Sequence, residues 1–170
     1  MKTMGSRTKR VATLGVIASL ALLLSYVEFL LPPLFVAVPG IKLGLPNVAI
    51  LFVLYYSGVR DAIGVSFVRV IISAMLFGSV MTLAYSAAGA ALSLIVMATL
   101  KRLNILSPLG VSVAGAVAHN IGQTVVAVIL LDTPQIAYYM VVLTLTGIVT
   151  GAFVGILGGL LLRRIPEGKL

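Results

Sequence analysis

The chain alternates long apolar blocks with short breaks rich in Pro, Gly and basic residues. A hydrocarbon core of about 30 Å takes roughly 20 apolar residues per helix. On that ruler six segments emerge, at 11–31, 45–57, 61–77, 81–100, 108–131 and 136–162. The first follows a basic tail and stops at Pro32-Pro33, which cannot continue a helix. Its length and the further apolar segments behind it set it apart from a cleaved signal peptide. The second is short, with Pro46 suited to a first helical turn. The stretch before it, 32–44, is too rich in Pro and Gly for regular helix and reads as an outer loop that dips into the membrane. The predicted fold is an all-α integral membrane protein, a six-transmembrane-helix bundle forming one domain over 1–170.

Composition agrees with that pattern. The chain is 61% hydrophobic and 9% charged, far below the near-quarter share of charged residues in a soluble domain. A net charge of +8 would suggest nucleic acid in a soluble protein, but here the basic residues flank the apolar blocks, where they orient a chain in a membrane. With the amino terminus inside, ten basic residues fall on the cytoplasmic side: Lys2, Arg7, Lys9, Arg10, Arg60, Lys101, Arg102, Arg163, Arg164 and Lys169. Outside there is Lys42, and within a span Arg69. The expectation is a multi-pass protein of the cell inner (cytoplasmic) membrane with both termini cytoplasmic. No Cys and a single His rule out thiolate and multi-His metal sites, so no metal or cofactor is expected.

Small residues recur at helical spacing, which lets membrane helices approach closely. The first segment carries Ala12, Gly15 and Ser19 on one stripe and Ala18, Ala21 and Ser25 on another, while Gly147, Gly151, Gly155 and Gly159 line the sixth. Polar residues inside the segments carry the functional signal, because each is costly in hydrocarbon unless it faces a partner or a wet cavity. His119 and Gln123 share one helix face with Asn120 beside them; Arg69 lies near the midplane, and Asn47, Tyr85 and Glu28 fall toward the outer side. Together with Lys42 at the entrance they predict an outward-open pocket. Its donors Arg69, Lys42, Asn47, Asn120 and Gln123 outnumber its carboxylate Glu28, which points to an anionic or acceptor-rich small molecule.

The run 20–32 (LALLLSYVEFLLP), the loop Pro39-Gly40-Ile41-Lys42-Leu43-Gly44-Leu45-Pro46-Asn47, the stretch 78–93 and the string Ala118-His119-Asn120-Ile121-Gly122-Gln123 resemble the membrane family called heptaprenyl diphosphate synthase component I, or Gx transporters. That family in turn resembles the substrate-binding S components of energy-coupling factor transporters. The resemblance implies six helices, a substrate pocket in the outer half, and small residues on the first helix facing an energy-coupling transmembrane subunit that works with ATPase subunits. Here those small residues would be Gly15, Ala18 and Ser19, with Gly15-xxx-Ser19 standing in for a stricter small-residue pair. The start Met1-Lys2-Thr3 lacks the amino-terminal histidine of cobalt and nickel S components.

A synthase activity does not fit the residues. Prenyl transfer to a diphosphate needs paired aspartate-rich motifs to hold magnesium, and the acids of this chain are Glu28, Asp61, Asp132 and Glu167, no two adjacent. There is no phosphate loop of the form GxxxxGK[ST] either. The expectation is therefore a non-enzyme: a substrate-binding subunit for uptake of a small organic nutrient or cofactor precursor, driven by a separate ATP-consuming module. The alternatives are a non-catalytic membrane subunit of prenyl or quinone biosynthesis, and a stand-alone secondary transporter with His119 as its proton site.

Overall fold

The computed structural model describes residues 6–30, 44–132, 134, 138 and 140–164. Its helices are α1 (Ser6–Leu30), α2 (Pro46–Tyr56), α3 (Val59–Phe77), α4 (Val80–Leu103), α5 (Pro108–Leu131) and α6 (Met140–Arg164), with no strand among the described residues. Each predicted segment has its helix. Lys101 and Arg102, expected just beyond the fourth segment, lie in the last turn of α4, where cations complement the carbonyl end of the helix dipole. The predicted onset at 136 falls partly outside the described residues, and α6 is seen from Met140.

Local chemistry sets the helix ends. Ser79 accepts a hydrogen bond from the Thr82 amide at 3.2 Å to open α4, and Ser107, followed by Pro108, accepts one from the Gly110 amide at 3.4 Å to open α5. Asn104 and Asp132 close the same two helices in the left-handed conformation, with φ of 54° and 46°.

Among the described residues four helices are long and apolar enough to cross a membrane: α1, α4, α5 and α6. They expose large apolar side chains on their outer faces, such as Val16 and Leu23 on α1 and Leu145 and Val149 on α6, the pattern of a lipid-facing surface. In α3 the apolar run is interrupted by Arg60, Asp61 and Arg69. The eleven residues of α2 rise about 16 Å, roughly half of a bilayer's hydrocarbon core.

Short as it is, α2 is the hub of the bundle. Every residue from Val48 to Leu54 is buried. Ile50, Leu51 and Leu54 pack in one cluster with Ile17 and Ala21 of α1, Ala62 and Val65 of α3, Leu94 and Met97 of α4 and Val111 of α5. Around it α4, α5 and α6 lie side by side, α3 joins α4, and α1 rests on α2 and α3. Two polar ties fasten one end of this assembly. Arg10 of α1 forks onto Asp61 of α3 at 3.1 and 2.7 Å, where Ser57 also donates to Asp61. Lys101 of α4 donates to the Leu54 carbonyl at the carboxyl end of α2, with its ammonium 5.0 Å above the Tyr55 ring.

The small-residue stripes divide into two kinds. On α6 a Cβ at Gly151 would lie 2.7 Å from Val113 Cα and one at Gly155 would lie 2.8 Å from Leu109 Cα, so these glycines let α5 and α6 touch backbone to backbone. A Cβ on Gly159, expected to continue the stripe, would meet no described residue within 4 Å; Gly158 takes the inward place against Leu51, because a four-residue stripe drifts around a helix of 3.6 residues per turn. On α1, Ile17, Ala21, Ser25 and Glu28 face inward, whereas Gly15 and Ser19 are exposed and Ala18 is half-buried.

Candidate functional site

Where α1, α2, α3, α4, α5 and α6 converge lies a cavity partly open to the surroundings, with about 470 Å³ of non-atom space when the open part is counted. It is bordered by Glu28, Gly44, Asn47, Arg69, Ser86, Ala116, His119, Asn120, Gln123 and Thr150. Six of the residues singled out in the sequence, Glu28, Asn47, Arg69, His119, Asn120 and Gln123, are thus brought to one place from four helices. Tyr85 is not at the cavity; its neighbour Ser86 is, since adjacent residues on a helix point about 100° apart. Lys42 lies outside the described residues.

Each polar side chain here has a definite structural attachment. Arg69 donates from Nε to Ser25 Oγ at 3.2 Å, which is its one hydrogen bond to a described residue and leaves the terminal guanidinium nitrogens for the cavity. Glu28 accepts from the amide of Gly44 and offsets part of the Arg69 charge across the space between them. Among the described residues the ion pair within contact distance is Arg10–Asp61, not Arg69–Glu28. Gly44 has φ of +72°, a left-handed turn that suits glycine and sets Asn47 at the cavity edge as α2 begins. The amino end of α2, which carries partial positive charge, therefore borders the cavity.

On α5, Asn120 donates from Nδ2 to the Leu143 carbonyl at 2.7 Å, tying α5 to α6. Gln123 Nε2 and His119 Nε2 are 2.8 Å apart, one helical turn from each other. This pair fits only because residue 89 has no side chain: a Cβ on Gly89 would lie 2.7 Å from Gln123 Cγ and 3.0 Å from His119 Cε1. The donor surplus counted from the sequence is thus partly consumed by helix-to-helix bonds. What remains toward the cavity is the Arg69 guanidinium, the Asn47 side chain, the Ser86 hydroxyl and the amide oxygens of Asn120 and Gln123.

Sequence reasoning placed Glu28 in the pocket as its carboxylate, and left Gly44, Ser86, Ala116 and Thr150 out of the predicted site. Ala116 was legible in principle, because 116, 119, 120 and 123 share one helical face. Ser86 and Thr150 carry no such signal, since lone hydroxyls are common in membrane helices.

A family profile described as heptaprenyl diphosphate synthase component I matches residues 17–161, a stretch that takes in all of the cavity's residues. The chain belongs to this family. No curated protein and no solved structure matches it. For a component I protein the site has a particular composition: the described residues contain no group of three or more His, Cys, Asp or Glu able to hold a metal ion. One carboxylate beside one guanidinium does not suit the magnesium ions that a diphosphate leaving group requires.

Proposed function

We propose that this component I protein is a non-catalytic membrane subunit of prenyl diphosphate biosynthesis that holds a small polar ligand around Arg69 and works beside a catalytic component II. The observation that carries the reading is the Arg69 cavity itself. An ionisable group inside a membrane bundle is expensive, and here one charged nitrogen fork meets a cavity whose other polar groups arrive from separate helices. The family description supplies the biosynthetic setting, and its "component I" implies a partner component. The orientation that suits such a partner is the one read from the basic residues, with six crossings and both termini cytoplasmic.

A second reading, uptake of a small organic nutrient through an energy-coupling transmembrane subunit and ATPases, is favoured by one specific observation. The face of α1 carrying Gly15 and Ser19 is open: no described residue lies within 4 Å of a Cβ built on Gly15, and the Ser19 hydroxyl turns back to the Gly15 carbonyl at 2.9 Å. Such a smooth helix face suits a second membrane subunit. Affinity purification from native membranes separates the two. Recovery of a soluble prenyltransferase supports the first reading, and recovery of ATPases with a shared membrane subunit supports the second.

A further inference from the structure

We propose that the cavity takes a small zwitterion, its anionic group on the Arg69 guanidinium and its ammonium group toward the Glu28 carboxylate. The inference rests on the reading of the Arg69 cavity as a ligand site and adds the charge of the ligand's second group.

Two opposite charges border this cavity, one on α1 and one on α3. Ser25 and Glu28 are three residues apart on α1, hence on one face within a turn of each other. Ser25 Oγ accepts from Arg69 Nε at 3.2 Å, which brings the guanidinium into the neighbourhood of Glu28. The two charges act on each other across the cavity, yet they do not meet as a contact ion pair. Each is held from its own side. Ser25, whose hydroxyl donates to the Ala21 carbonyl at 2.9 Å, fixes Arg69 Nε, while the Gly44 amide donates to one Glu28 oxygen. The space between a cation and an anion held in this way suits a guest that carries the opposite pair.

Capping the Gly44 amide needs only a neutral acceptor, which the oxygen of a glutamine would supply. Glu28 is 8% exposed, and a carboxylate costs more to bury than an amide. Its negative charge therefore has a use beyond the cap, and receiving a cation is that use. The neighbouring wall agrees. Asn120 and Gln123 commit their amide nitrogens to the Leu143 carbonyl and to His119, which leaves their oxygens as acceptors toward the cavity. A plain anion on Arg69 would share the space with Glu28 and these oxygens, whereas an ammonium brings N–H donors to them. A diphosphate, with several negative charges, is matched still less by one guanidinium beside a carboxylate.

Protein extracted gently from its own membranes is stripped of bound small molecules, which are treated with dansyl chloride, a reagent for primary and secondary amines, and quantified by mass spectrometry. The molecule released from wild type should react with it. Its occupancy should fall about tenfold or more in Arg69→Met and equally in Glu28→Gln, which keeps an oxygen for the Gly44 amide and so should melt within a few degrees of wild type. Should Glu28→Gln not fold, the amine reaction on wild type decides alone. A bound molecule that is lost in Arg69→Met but is inert to dansyl chloride, or whose occupancy holds or rises in Glu28→Gln, is a simple anion; the inference then falls and the Arg69 site stands. Occupancy independent of Arg69, or no bound molecule in wild type, overturns the inference together with the reading beneath it.

Discussion

Arg69 is held to its neighbours by little more than one hydrogen bond to Ser25, and that shapes what its removal does. Arg69→Met loses that bond, while Glu28 keeps the Gly44 amide, so the melting temperature of ligand-free protein should fall by only a few degrees, corresponding to about 1 kcal/mol. A loss nearer 3–5 kcal/mol would mark Arg69 as a paired structural ion instead. Gly89 gives the opposite case. Gly89→Ala forces a methyl against Gln123, His119 and the His119 carbonyl, and should destabilise the protein by about 1–3 kcal/mol, measured by thermal unfolding. At this scale the sequence shows most where helical spacing and chemistry coincide: His119, Asn120 and Gln123 announce one polar face, and an arginine amid Phe67, Val68 and Val70 announces a site. It hides how donors are spent. That Asn120 is turned to the Leu143 carbonyl depends on a neighbouring helix, which no local spacing encodes.

Among the elements, α2 carries the most consequence for its length. It is apolar on every side, and such a helix suits lipid and protein core equally, so the sequence could give its position and shortness but not its place at the centre of the bundle. Its carboxyl end depends on Lys101, which reaches the Leu54 carbonyl from α4. Lys101→Met removes that charge-assisted bond and the contact with Tyr55, and should lower stability by roughly 1.5–3 kcal/mol in denaturant or heat. The open face of α1 predicts the reverse. Gly15→Leu should leave the melting temperature of the isolated protein unchanged within about 0.5 kcal/mol, because a Cβ there meets no described residue within 4 Å. A large loss would show that this face is packed within the bundle. Distinguishing such a face from the Gly151 and Gly155 face of α6 was beyond the sequence, since both read as small residues at a spacing of four.

For the whole molecule, the apolar blocks and their breaks made the helical architecture legible, because hydrocarbon leaves helices as the economical way to satisfy the backbone of such blocks. The arrangement around α2 was not legible, as it follows from side-chain fit among all six helices. Labelling tests the topology, and the absence of cysteine makes the chain a clean background for it. With both termini inside and six crossings, a single cysteine at Asp132 should react with an impermeant thiol reagent applied to the outside of intact cells, and one at Asn104 should react only after permeabilisation. The reverse pattern would overturn the orientation. The central claim is that the cavity around Arg69 holds a small molecule, and native mass spectrometry of protein extracted gently from its own membranes tests it most directly. Wild-type protein should carry a bound small-molecule mass whose occupancy drops about tenfold or more in Arg69→Met; equal occupancy in the two proteins, or none in either, would contradict it.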